Sequence, residues 1–164
     1  MNNLSVNSIF SLTTKRVADL VLEQSRQAFW QSGIELDAKM SSIVTLAYQE
    51  GKITSTALSE QTGLSRQLVE LRLRRLVDDG YLDEKKDSTD LRRRIYSISR
   101  KKSHDVARAM EKLAEFEVIY RAIWKELGID LQKGLRDLES TLIAQPLATR
   151  LTEQKPGNAA KQGN

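Results

Sequence analysis

Apolar positions recur along this chain with two different periods, and the changes of period mark its elements. Helical spacing opens at Thr13 or Thr14 and carries Val17, Leu20, Val21 and Ala28 on one stripe to Ser32, where Gly33 supplies a stop. It resumes over residues 37–50, with Asp37 as N-cap, Met40, Ile43, Val44, Leu46 and Ala47 on one face, and Gly51 after the end. A short helix is predicted over residues 54–62, closed by Gly63. Another starts at Ser65, its N-cap, and runs to Asp79 before Gly80. Only Gly63 and Leu64 lie between these two, which is the spacing of a helix-turn-helix. Leu58, Leu64, Val69, Leu73 and Leu76 would form its small core.

After Gly80 the period shortens. Residues 81–86 and 94–99 read as strands, Tyr96 and Ile98 falling on one face, and the polar residues 87–93 between them read as a hairpin loop. A helix-turn-helix followed by a hairpin is a winged helix. From residue 103 to 127 the helical period returns as a seam of Val106, Ala109, Leu113, Phe116, Tyr120, Ile123 and Leu127, alternating steps of three and four. Gly128 interrupts it, Asp130 is placed to cap a further helix, and Leu131, Leu135, Leu138 and Leu142 repeat the steps. Pro146 limits that helix, and Leu147 and Leu151 would add one more turn. Such a seam either packs within the chain or meets a partner. Taken with the long first helix, dimerisation is the favoured reading, through Val17, Leu20, Val106, Leu113, Phe116, Tyr120, Ile123, Leu127, Leu131, Leu135, Leu138 and Leu142.

The expected fold is therefore mainly α with a small β-hairpin wing: a winged helix-turn-helix flanked by N- and C-terminal dimerisation helices. Residues 13–151 form a single domain in this reading. The winged helix occupies about 37–100 and the dimerisation helices about 13–33 and 103–151. Residues 1–12 are expected to be a flexible N-terminus and 152–164 a disordered, polar tail.

Composition narrows the function. A length of 164 residues suits one domain. The absence of cysteine excludes thiol nucleophiles, thiolate metal sites and disulfides, and a lone histidine, His104, leaves most zinc sites and His-dependent triads without parts. These facts argue against an enzyme and against a bound cofactor. The N-terminal residues lack a basic stretch followed by an apolar one, and no apolar run approaches the ~20 residues of a membrane helix, so a cytoplasmic location is expected. Net charge is +4, unevenly spread. Residues 66–102 hold twelve Lys and Arg against seven Asp and Glu, leaving the rest of the chain close to neutral. Binding to DNA draws heavily on counterion release, and this is the distribution it needs.

The chain resembles the MarR family of winged-helix transcriptional regulators. The sharpest likeness is Asp90-Leu91-Arg92 followed by Ser99, matching a D-x-R with Thr or Ser nine positions after the Asp. Upstream, Ala57-Leu58-Ser59, Gly63-Leu64-Ser65, Leu76 and Gly80-Tyr81-Leu82 stand where that family has its helix-turn-helix core and the start of its wing. The likeness covers residues 37–102 in motif and extends to 142 in helix order. There are departures: Lys102 where glycine is usual, Glu70-Leu71 against a common Thr-Arg pair, and Arg72 and Arg94 at usually apolar positions. The resemblance implies a bacterial regulator that binds double-stranded DNA as a homodimer on a pseudo-palindromic operator. It also implies a small aromatic or anionic effector held between the dimerisation helices and the winged domain, for which Trp30, Tyr48, Tyr120 and Trp124 are the candidate lining. The alternative is a winged-helix module whose main partner is another protein or RNA.

Candidate DNA-binding residues follow from position and type. Ser65 caps the recognition helix and stands where free N–H groups meet phosphate. Arg66, Gln67 and Glu70 occupy the first turns, the part that enters a major groove. Arg suits guanine and Gln adenine. Glu70 would repel phosphate unless it accepts from cytosine or pairs with Arg66 or Arg74. Leu71 is either core or a contact to thymine methyl groups. Arg74 and Arg75 suit the backbone. On the wing, Arg92 is slim enough for a narrow A·T-rich minor groove, with Asp90 placed to orient it by hydrogen bonding, and Arg93 and Arg94 are phosphate candidates.

Overall fold

The structure is a computed structural model and describes residues 6–153, with side chains from residue 9 onward. The elements run α1 (Val6–Gln31), a 3₁₀ turn (Ala38–Met40), α2 (Ser41–Glu50), α3 (Ser55–Thr62), α4 (Arg66–Asp78), β1 (Leu82–Lys86), β2 (Arg94–Ile98), a second 3₁₀ turn (Arg100–Lys102), α5 (Ser103–Leu127), α6 (Leu131–Ala144) and α7 (Leu147–Glu153). The architecture is mainly helical with one two-stranded antiparallel hairpin. They form two compact units, divided inside α5 between Ala114 and Glu115.

The first helix starts at Val6, not at Thr13 or Thr14. Thr14 does not cap it: its hydroxyl donates to the Phe10 carbonyl at 2.9 Å, a bond that a threonine makes inside a helix. Residues 6–12 are thus helical, against the expected loose terminus, while 1–5 lie outside the described residues. At the other end, Thr152 and Glu153 close α7, and the remainder of the expected tail also lies outside. Asp37 caps as expected, accepting from the Lys39 amide at 3.0 Å, but what it caps is a 3₁₀ turn that leads into α2.

The first unit closes around the helix-turn-helix. Ile43, Val44 and Ala47 of α2, Leu58 of α3, and Val69, Leu73 and Leu76 of α4 are all buried. Thr54 caps α3 by accepting from the Ala57 amide at 3.2 Å, and Ser65 caps α4 by accepting from the Leu68 amide at 3.3 Å. Between them Gly63 takes φ 68°, a left-handed turn that an L side chain adopts only at a cost. The Ser59 hydroxyl donates to the Leu64 carbonyl at 2.7 Å and ties the turn down. In the hairpin Leu82 faces Ile98 and Lys86 faces Arg94. Ile53 adds a bridge to its edge through paired bonds with Tyr96 of 3.0 and 2.8 Å.

Val106 and Ala109 of α5 are fully buried in this same unit. This corrects the seam as read from the sequence, because a side chain closed off within one chain has no surface left for a partner. Two cations near the start of α5 also hold the segment after α1. The Arg108 guanidinium donates to the Ser32 carbonyl at the end of that helix. The Lys102 ammonium donates to Glu35 at 3.2 Å and Asp105 at 3.0 Å, and lies 5.2 Å from the Tyr81 ring centroid. Asp105 and then Glu35 hold the Lys102 ammonium well above the ordinary lysine range, so it is charged at any physiological pH.

The second unit has another character. Asp130 caps α6, accepting from the Lys133 amide at 2.9 Å, and Tyr120 and Trp124 stack with ring centroids 6.1 Å apart. Yet none of its described residues is buried. Ile123, Leu127, Leu135 and Leu142 are exposed, as are Val17 and Leu20 of α1, whereas Leu113, Phe116, Leu131 and Leu138 are half-buried.

Candidate nucleic-acid interface

Helix α4 turns one face inward and the other to solvent because its apolar residues recur at helical spacing. Val69, Leu73 and Leu76 are buried, while Arg66, Gln67, Glu70, Leu71, Arg74 and Arg75 are exposed. The Ser65 hydroxyl serves as the cap, and its residue is exposed at the helix start, where the dipole is positive. Leu71 is 62% exposed, which removes the core reading for that residue. Leu68, by contrast, is half-buried.

Of the two alternatives open to Glu70, the pairing with Arg66 or Arg74 does not form among the described residues. Glu70 lines a polar groove between α4 and the hairpin, together with Arg74, Val77, Asp78, Glu84, Arg94 and Tyr96. Across that groove Arg94 is ion-paired with Glu84, which holds its guanidinium above the ordinary range. Arg94, a phosphate candidate by sequence, thus also makes an ion pair within the wing. Tyr96 completes the group, its hydroxyl donating to Glu84 at 3.4 Å. Burial, followed by the charges of Glu84 and Glu70, pushes its phenol up to about 12.

At the wing tip Arg92 and Arg93 are exposed. Asp90 orients this loop differently from expectation. Its carboxylate accepts from the Arg92 backbone amide at 3.0 Å, and its carbonyl accepts from the Arg93 amide at 2.8 Å. It therefore shapes the backbone from which Arg92 projects and does not hold the guanidinium. A residue missed by sequence reasoning does the same work three positions earlier. Asp87, nearly buried, accepts from the Thr89 amide at 2.8 Å and the Thr89 hydroxyl at 2.7 Å, while its own amide donates to the Arg93 carbonyl at 3.0 Å. The signal was present as an Asp two residues before a Thr in a loop, the signature of an Asx turn. Lys102 and Glu84 were also missed as tethers: Glu35 and Arg94 lie too far from them in sequence to be inferred from spacing, although Asp105 stands only three positions from Lys102.

The Thr89 amide and hydroxyl, in that order, hold the Asp87 carboxyl below the usual aspartate range. A lowered folded value means that its contribution is complete above the unfolded value of about 3.9 and is lost as pH falls through the folded one. The Thr89 amide resonance is therefore expected to titrate with a midpoint below about 3.9, and Asp87→Ala should abolish that titration. A midpoint at the ordinary value would show that the turn does not hold the charge.

The effector candidates fall two to each unit. Trp30 and Tyr48 are exposed on the first, and Tyr120 and Trp124 stack on the second. His104 is exposed in the first turn of α5. Among the described residues no group of three or more His, Asp or Glu is placed to hold a metal ion, and no helix is long and apolar enough to cross a membrane.

Residues 36–83 match a family model described as winged helix-turn-helix DNA-binding. No curated protein matches the chain. Solved structures do. An organohalide-sensing transcriptional regulator, RdhR, in its 2,4-dichlorophenol-bound form is similar at TM-score 0.71 and 17% identity, over 85% of this chain and 82% of that one. The PcaV transcriptional regulator from Streptomyces coelicolor, in complex with its natural ligand, gives TM-score 0.65 and 17% identity, over 88% and 98%. Wild-type MarR from E. coli, in its apo form, gives TM-score 0.54 and 12% identity, over 87% and 98%. Helix order, hairpin and helix-turn-helix geometry agree with these likenesses, and over most of its length the chain has the winged helix-turn-helix fold of MarR and its structural relatives.

Proposed function

We propose that the chain is a transcriptional regulator, without a catalytic step, that binds double-stranded DNA sequence-specifically as a homodimer. The observation that carries this is the joint exposure of two cationic elements on one unit. The outward face of α4 bears Arg66, Arg74 and Arg75, and the wing loop bears Arg92 and Arg93, while the residues behind them close a core. Two copies would set their α4 helices in successive major grooves of a pseudo-palindrome, about 34–36 Å apart. Dimerisation would use the exposed apolar residues of α1, α5 and α6. The ligand-bound regulators with this fold support a small aromatic or anionic effector for this chain as well, acting by different affinities for two states.

Selection of bound duplexes from a random pool tests the reading. The expected result is an enriched pseudo-palindrome whose complex survives excess nonspecific duplex. A pool that enriches nothing, or an RNA competitor that displaces the complex at equal concentration, would refute it.

The wing arginines should then separate. Arg92→Ala is expected to weaken specific binding by roughly 1–3 kcal/mol, more so where A·T runs narrow the flanking minor groove. Arg93→Ala should cost a similar fraction on every flank and reduce the salt slope by about one unit per half-site. Binding curves on two flank compositions at several salt concentrations distinguish them. Identical behaviour would make Arg92 only another phosphate anchor.

A further inference from the structure

The outward face of α4 contains one residue that nothing inside the chain explains. Leu68, Val69, Leu73, Leu76 and Val77 are buried or half-buried, but Leu71 is 62% exposed. At 100° per residue it lies almost opposite the buried face, so no small rotation of the helix would return it to the core. One turn before it stands Gln67, also exposed, and side chains four apart on a helix lie one above the other. Along the helix the pair is bracketed by Arg66 before it and by Arg74 and Arg75 after it, Arg74 at the rim of the groove and Arg75 lying 3.6 Å from the Asp79 carboxylate.

That order of groups fits a polyanion carrying apolar methyl groups in its groove. Cations bracket the helix face where phosphates would run, and a carboxamide and an isobutyl group occupy its middle. In the major groove an A·T pair offers both complements, the adenine N6 and N7 edge for a carboxamide and the thymine C5-methyl for an apolar side chain. Glu70, the neighbouring carboxylate, turns toward the groove with Glu84 and Arg94 and leaves this face to Gln67 and Leu71. We infer that Gln67 and Leu71 together select A·T pairs near the centre of each half-site, Gln67 through adenine and Leu71 through a thymine methyl. This rests on the DNA-binding reading above and adds the identity of the bases read.

Atom-sized changes in the DNA test it, using the full chain and the duplex enriched by selection. Replacing each thymine in turn by uracil removes only the methyl group, and 7-deazaadenine removes only N7. The wild-type protein is expected to lose about fourfold in affinity per half-site at one uracil position, the scale of one buried methyl. It should lose about tenfold or more at one 7-deazaadenine position. Leu71→Ala should bind the thymine and uracil duplexes equally, and Gln67→Ala should no longer distinguish adenine from 7-deazaadenine. Both residues are exposed, so both variants should keep the wild-type circular dichroism and salt slope. If every uracil duplex binds like its parent, or Leu71→Ala keeps the preference, the inference is overturned while DNA binding stands. If selection enriches no sequence, the DNA-binding reading falls, and this inference falls with it.

Discussion

Leu73→Ala is expected to destabilise the chain by about 2–5 kcal/mol, the range for a leucine truncated in a closed core. Leu73 is fully buried on α4, in the same core as Leu58 of α3 and Val69 and Leu76 of its own helix. Truncation removes the transfer free energy of three carbons and leaves a cavity among side chains already fixed by two capped helices and a tight turn. A domain with a total stability of about 5–15 kcal/mol has little to spare for that loss. Urea unfolding should show a lower midpoint with an unchanged slope, since the surface exposed on unfolding is nearly the same. A change below about 1 kcal/mol would mean that the site collapses around the alanine and that the core is looser than its burial implies.

The second large effect is expected on assembly. Leu135 of α6 is 48% exposed, so Leu135→Glu places a charge where water already reaches in a single chain, and the fold should persist. In the proposed dimer the same position is buried twice by symmetry, and an unpaired charge in such an interface costs about 3–5 kcal/mol. The dimerisation constant should therefore fall more than about a hundredfold, read by sedimentation equilibrium, with helical circular dichroism retained. A dimer as tight as the unmodified one would exclude α6 from the interface. A monodisperse monomer of the unmodified protein would exclude dimerisation altogether.

Most of the local structure was legible because it is written in short-range chemistry. The hairpin strands, the Gly63 turn, the Ser65 cap and the full span of α5 each depend on residues within a few positions of one another. The start of α1 was misread because threonine serves equally as a cap and as an internal residue, and only the Thr14 bond to Phe10 decides between them. The seam on α5 was legible as a seam but not in its division. Val106 and Ala109 follow the same spacing as Ile123 and Leu127, yet the first pair is spent inside the first unit and the second pair is exposed. Periodicity states that a stripe is apolar and is silent on what covers it.

At the recognition surface, residue types were legible and their partners were not. Arg94 could be seen as a wing cation, but its capture by Glu84 depends on strand register across ten residues. Asp90 was rightly placed beside Arg92, and its grip turned out to be on backbone. Helical spacing leaves Leu71 open to either core or groove, and only its exposure decides against the core.

The ammonium of Lys102 serves Glu35, Asp105 and the face of Tyr81 at once, so the segment after α1, the first turn of α5 and the start of the wing share a single rivet. A shared rivet makes local openings interdependent. None of the three segments can swing outward without giving up a contact that also holds the other two. In native-state hydrogen exchange, the amides around these three positions would then open with one common free energy, as a single cooperative block. With methionine at residue 102 the same amides would split into separately exchanging groups.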